Sequence, residues 1–272
     1  MTRVFPVVLW LSLSLALSFL VLPLVALFVR ITPADLLAAL GSPEARAALR
    51  VSLVTSLTAH LFVLAIGTPA AYLLATRPFR GRALAIAFVE LPLILPPAVA
   101  GIGLLAAFGR QGLLGEELAA FGVSLPFTQA AVVMAVVFVA SPFYLRQAVA
   151  AFEAVDRELI DAARTLGASP AGTFARVALP LASGGLLAGS ALAWARGLGE
   201  FGATIMFAGS LGGVTETLPL AIYSELDRNF DAAIAIGALL VCASAAVLLT
   251  AKLLPRWIRS SPTSPLHSAT SI

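Results

Sequence analysis

The chain has 272 residues, 60% of them apolar and 11% charged, with a mean hydropathy of +1.00 and a net charge of +3. Those values exclude an ordinary soluble domain. The single cysteine, Cys242, leaves no disulfide frame or cysteine metal cluster, and no basic tract with interleaved aromatics points to nucleic acid. Uncharged runs close to the ~20 residues that cross a bilayer recur along the chain, so an all-α polytopic membrane protein is expected.

Six spans follow in chain order. Residues 4–29 carry no charge after Arg3, and the run is well beyond the roughly 7–15 apolar residues of a secretory signal, which predicts an uncleaved first span. The second, 51–76, lies between Arg50 and Arg77. The third, 83–109, holds one charge, Glu90, and the prolines Pro92, Pro96 and Pro97. The fourth falls within uncharged 118–145 and is expected to begin near Phe127, after Pro126. The fifth, 181–208, contains Arg196 and Glu200, and the sixth is 232–251. Residues 1–258 read as one transmembrane domain, and the Ser-, Thr- and Pro-rich tail, 259–272, is expected to be disordered and cytoplasmic.

Between the fourth and fifth spans, 151–180 forms a polar hook. Good helix formers from Asp156 to Leu166 carry their carboxylates early, where the helix dipole favours them. Gly167 suits the left-handed end of such a helix. Ser169-Pro170 is a second start, with a hydroxyl cap and a proline in the first turn. Pro180 is expected to redirect the chain into the fifth span.

Orientation follows from lysine and arginine. With the amino terminus inside, cytoplasmic segments hold eleven of them and outer segments five, with Arg196 in the membrane. Both termini and the hook are therefore expected in the cytoplasm. Outside lie an amphipathic stretch within 30–50 and a short helix between glycine-bounded turns in 109–127.

The fifth span is rich in glycine, which lets helices approach closely in lipid. Arg196 and Glu200, four apart, are expected on one helical face, where they can pair and lower the cost of each charge. His60, alone in the second span, reads as a packed, hydrogen-bonded residue. Glu90 and Glu200 are expected to be the only buried carboxylates, too few for an intramembrane acid–base site.

Asp161-Ala162-Ala163, then Gly167, Val177 and Leu179-Pro180, stand at the spacing of the EAA loop and resemble that motif in permease subunits of ATP-binding-cassette importers. Asp161 replaces its glutamate and Val177 its isoleucine. A second set of residues looks like the molybdate permeases, with sulfate and tungstate permeases as near relatives. It comprises Gly199-Glu200-Phe201-Gly202-Ala203-Thr204, Phe207-Ala208-Gly209, Thr215 to Tyr223, and Glu90-Leu91-Pro92 through Pro96-Pro97 and Gly101. Sulfate permeases more often have valine where Thr204 stands and asparagine where Ser210 stands. The resemblance covers roughly 45–255.

This resemblance implies a type I importer permease fold and alternating access, in an inner-membrane protein. The implied partners are a second permease copy as a homodimer, two ATPase subunits and an extracytoplasmic oxyanion-binding protein that docks on the outer loops. ATPase coupling would fall to Asp161, Ala162, Ala163, Gly167, Ala171, Gly172, Phe174, Arg176, Leu179 and Pro180. Asp161, Ala163 and Gly167 would hold the hook's fold, while Ala171 to Arg176, anchored by Phe174, would meet the ATPase. The translocation path would involve Arg196, Gly199, Glu200, Phe201, Gly202 and Thr204. The chain has no G-x-x-x-x-G-K-[ST] loop, so ATP is expected to be used by the partner, with no cofactor or metal bound here. The implied cargo is a tetrahedral oxyanion, molybdate first, with tungstate or sulfate/thiosulfate as alternatives. A channel or secondary transporter would call for inverted repeats or a charged pore lining. A reporter fused after residue 255 is expected to behave as cytosolic; an external carboxy terminus overturns both the span count and the placement of the hook.

Overall fold

The computed structural model describes residues 4–259, with side chains from Phe5 to Thr250. The tail expected beyond 259, and Arg3 in the charge count, lie outside the described residues. Among those described, every regular element is helical. They are α1 (Val4–Val29), α2 (Pro33–Gly41), α3 (Pro43–Thr76), α4 (Arg82–Ile94), α5 (Pro97–Phe108), α6 (Gly115–Ala120), α7 (Gln129–Glu153), α8 (Arg157–Thr165), α9 (Pro170–Thr173), α10 (Leu179–Leu198), α11 (Gly202–Ala208), α12 (Leu218–Leu226) and α13 (Phe230–Arg259). A π-helical turn, Phe174–Ala178, joins α9 to α10.

Five helical segments are long and apolar enough to cross a membrane, and the bent pair α4–α5 brings the number up to six. The first expected span is matched residue for residue by α1. The second begins earlier than expected, at Pro43, because proline is tolerated in a first helical turn. The third and fifth differ in kind. Neither is one straight helix: Pro96-Pro97 breaks the third between α4 and α5, and residues 199–201 break the fifth between α10 and α11.

The chain divides into two compact units, and both cut across the helices. Of the described residues, one comprises 4–59, 95–136 and 198–243; the other comprises 60–94, 137–197 and 244–259.

In the first unit, α5 and α11 lie nearly backbone to backbone. A Cβ added at Gly101 would stand 2.7 Å from the Ala203 carbonyl oxygen, and one at Gly202 would stand 2.8 Å from Pro97 Cβ. Helices in lipid gain little from burying apolar surface, so this closeness, with its dispersion contacts, is what holds them. Ala45, Ala48, Leu218, Ala221 and Ile236 form a second core there. Helix α2 opens with a reciprocal capping box between Thr32 and Asp35; those hydrogen bonds hold the Asp35 carboxyl below its ordinary value.

The second unit packs on the same rule. A Cβ at Gly185 would lie 2.5 Å from Ala151 Cβ, and one at Gly189 would lie 2.8 Å from Gln147 Cβ, which brings α10 onto α7. Tyr144, 1% exposed, donates to Thr68 Oγ1 at 2.6 Å, and Thr68 donates in turn to the Leu64 carbonyl at 2.7 Å. His60 Nε2 lies 2.8 Å from Ser190 Oγ, and its ring stacks on Trp194. It is the packed, hydrogen-bonded residue expected. Glu90 is corrected: its side chain is 45% exposed and pairs with Arg146 at 3.3 Å.

Gly101→Ala is expected to cost about 1–3 kcal/mol of stability, because a backbone oxygen stands in the way of the new methyl. Gly103→Ala, where a Cβ would meet nothing within 4 Å, is expected to be neutral. Thermal unfolding of the two variants in the same detergent provides the comparison.

Candidate functional site

The hook forms as its residues dictate. Asp156 Oδ1 accepts from the Glu158 amide at 2.9 Å and caps α8, with Arg164 in its last turn. At the far end Gly167 takes φ +87°. Its amide donates to the Arg164 carbonyl, and the Ala168 amide donates to the Ala163 carbonyl, both at 3.0 Å. This is a complete Schellman closure. A Cβ at Gly167 would meet nothing, so the backbone conformation alone asks for glycine. Ser169 Oγ then accepts from the Gly172 amide at 3.1 Å, and Pro170 opens α9. Asp161 and Ala162 are exposed and Ala163 is half-buried on α8.

Two expectations about the hook are corrected. Pro180 does not redirect the chain: α9, the π turn and α10 run on as a single segment, Pro170–Leu198. A proline lacks the amide that would bond the carbonyl four residues back. The turn before it widens instead, and the Leu179 amide donates to the Phe174 carbonyl. Nor does Phe174 stand outward as an anchor. It is half-buried, with its ring centroid 4.8 Å from that of Tyr72 and 6.2 Å from that of Phe152. The outward face of this segment carries Ala171, Ala175, Arg176 and Pro180, while Gly172 and Leu179 are half-buried. The most exposed large apolar residue of the hook is Leu166, 88% accessible at the tip between α8 and α9. Its sequence signal was its place directly before the glycine stop, where no helix face remains to bury it.

The second candidate region follows α10. Arg196 lies half-buried in that helix's last turn, but Glu200 comes two residues beyond its end, so the expected shared helical face does not exist. Neither residue is without a partner. Glu200, 2% exposed, accepts from the Ala203 amide at 2.8 Å and thereby starts α11. Gly199 is exposed with open space around it, and Phe201 is half-buried with its ring 5.3 Å from that of Tyr223. Gly202 and Thr204 do something else. They lie in α11, where Gly202 meets Pro97 and Thr204 is fully buried.

Beyond α11 the chain makes an irregular loop in which the Leu211 carbonyl takes the amides of Val214, Thr215 and Glu216 and side chains take two more. Thr215 Oγ1 accepts from the Leu211 amide at 2.9 Å, and Ser52 Oγ accepts from the Leu218 amide at 2.7 Å. Gly209, at φ +67°, lies beneath the ring of Phe127, itself left-handed at φ +63°; a Cβ at Gly209 would come within 2.9 Å of that ring. The sequence pattern does not show the contacts of Ser52 with Leu218 or of Phe127 with Gly209, because each joins distant positions.

Comparisons with known proteins agree in kind. Residues 67–260 match the family described as binding-protein-dependent transport system inner membrane component. The chain is 43% identical over 233 residues to the molybdenum transport system permease protein ModB of Mycobacterium bovis, covering 85% of this chain and 88% of that one. With the sulfate transport system permease protein CysT of Escherichia coli K12 it shares 36% identity over 248 residues, 88% of this chain and 90% of that one. A solved bacterial alginate ABC transporter, in complex with an alginate-bound periplasmic protein, has the same fold, with a TM-score of 0.74 at 16% identity over 96% of both chains.

Replacing Glu200 by Ala is expected to cost about 1–3 kcal/mol by leaving a buried amide open, and Glu200→Gln, which keeps an acceptor, less than half of that. Thermal unfolding reads the difference; equal losses overturn the capping role.

Proposed function

Because the chain belongs to the family of binding-protein-dependent transport system inner membrane components, we propose that it is the permease subunit of an importer that carries molybdate into the cytoplasm. The observation that carries the substrate is 43% identity, over most of both chains, to a protein named for molybdenum transport. Sulfate is the second reading, supported by 36% identity to a sulfate permease; tungstate is the chemical neighbour of molybdate. Two copies of this chain would form the path, two ATPase subunits would drive it, and an extracytoplasmic oxyanion-binding protein would deliver the anion. Both termini and the hook would face the cytoplasm, and ATP would be hydrolysed by the partner alone.

The hook is the part to be gripped. Leu166 offers a partner a large apolar side chain to bury, while Ala171, Ala175 and Arg176 offer a small-residue face with one charge. Ala163, through its carbonyl, and Gly167 keep the hook in shape, while the exposed Asp161 side chain is left to the coupling contact. Since α9 runs unbroken through the π turn into α10, a push at Ala171 reaches Arg196 along one helical segment. Arg196 lies in its last turn, and Gly199, Glu200 and Phe201, past its end, are the further candidates for the translocation path. Gly202 and Thr204 would serve it by packing within α11 and against α5.

Reconstituted with its ATPase and binding protein in vesicles, the chain is expected to take up molybdate in an ATP-dependent way that excess sulfate does not abolish. Sulfate uptake that molybdate cannot suppress overturns the substrate. In the same vesicles Leu166→Asp is expected to abolish substrate-stimulated ATP hydrolysis without lowering the unfolding temperature, whereas Phe174→Asp lowers that temperature. A Leu166→Asp complex stimulated like the parent removes the tip from the coupling contact.

A further inference from the structure

In the second unit, a cavity of about 690 Å³ lies where the ends of α3 and α7 meet α4 and α8. Four guanidinium groups line it, those of Arg77, Arg82, Arg157 and Arg164, against two carboxylates, Glu153 and Asp161. One pair is already spent: Arg82 donates to Glu153 Oε1 at 2.7 Å and, through Nε, to the Leu74 carbonyl at 2.6 Å. Among the described residues, Arg77, Arg157 and Arg164 form no ion pair. Asp161 forms none either, although it stands four residues from Arg157 and three from Arg164 on α8. Three uncommitted cations therefore share a concavity with one uncommitted carboxylate.

Gathering like charges around a concave wall raises a positive potential there, and an anion is the group that relieves it. The planar donor fork of arginine matches the oxygens of a tetrahedral phosphate or similar oxyanion. The cavity also has an apolar side, where the rings of Tyr72 and Phe152 meet edge to face with centroids 5.3 Å apart. It lies at Thr76 and Glu153, the terminal residues of two membrane-spanning helices, the depth at which lipid headgroups are found; basic pockets at that level take anionic ones.

We propose that this cavity is an anion site for a phosphate-type tetrahedral group, supplied by an anionic phospholipid headgroup or by an oxyanion free in solution. One wall belongs to α3 and α4 and the other to α8, so an occupant ties the hook's first helix to the span ends behind it.

The test uses the purified permease–ATPase complex and two probes. Native mass spectrometry compares retention of phosphatidylglycerol with that of phosphatidylcholine, and equilibrium dialysis of lipid-depleted complex measures binding of inorganic phosphate. Preference for phosphatidylglycerol identifies the lipid source, and saturable phosphate binding without lipid identifies the free one. In whichever arm binds, Arg77→Gln is expected to weaken the anion roughly fivefold and Arg77→Gln with Arg164→Gln about twentyfold. Arg110→Gln, on another loop, changes nothing. Should the double variant fail to assemble, the single Arg77→Gln decides, because that side chain is exposed and leaves no partner behind. The site is overturned if assembled variants bind as tightly as the parent, or if neither anion binds in preference to phosphatidylcholine. It is also overturned if adding the ATPase to the isolated permease expels the anion, since the cavity then belongs to the subunit contact.

Discussion

An amide or carbonyl left open in a bilayer has no water to turn to, and each such group costs several kcal/mol. A membrane helix therefore cannot break without supplying partners at the break. This chain breaks one of its apolar runs at 199–201 and loops irregularly from 209 to 217. At both places side chains supply part of what the helix no longer does, and in the loop the Leu211 carbonyl takes three further amides. Glu200 takes the Ala203 amide, Thr215 takes the Leu211 amide, and Ser52 reaches from α3 to take the Leu218 amide. Glu200 thus serves the backbone first, and any part it plays in passing an anion is played from that fixed position.

The same economy explains the glycines. With little hydrophobic drive between helices in lipid, association rests on close approach and dispersion. Gly101 and Gly202 bring α5 and α11 together in one unit, and Gly185 and Gly189 bring α10 onto α7 in the other. Where glycine is not in contact, its role is conformational. Gly167 has empty space around its α-carbon and a left-handed backbone, so the hook's corner depends on it for shape alone.

How the hook joins the membrane part bears on transport. A flexible connector after the hook would absorb motion. Here the π turn absorbs Pro180 instead, and the helix continues from Pro170 to Leu198. Phe174 anchors that segment to Tyr72 and Phe152, leaving Leu166 and the small outward face available to a partner. The gripped part and the far end near Arg196 belong to one lever.

The sequence by itself determined what depends on local pattern. Apolar run lengths placed the spans, with α1 matched residue for residue, and α8 with its Asp156 cap, Gly167 and Ser169-Pro170 formed as their residue types require. The spacing from Asp161 to Pro180 marked the family, because a motif read at fixed intervals needs no tertiary information. Only the tertiary structure decided which way side chains face and where helices stop. Phe174 looked like an outward anchor until Tyr72, about a hundred residues earlier, was seen beneath it, and Glu90 looked buried until Arg146 was seen beside it. Arg196 and Glu200 had the spacing of one helical face, but Ser52, Pro97 and Phe127 hold the region after α10 in another form. The cavity's arginines come from two stretches far apart in sequence, the link from α3 into α4 and the hook helix α8. Contacts of that kind depend on which distant segments pack together, and periodicity along one segment carries no record of them.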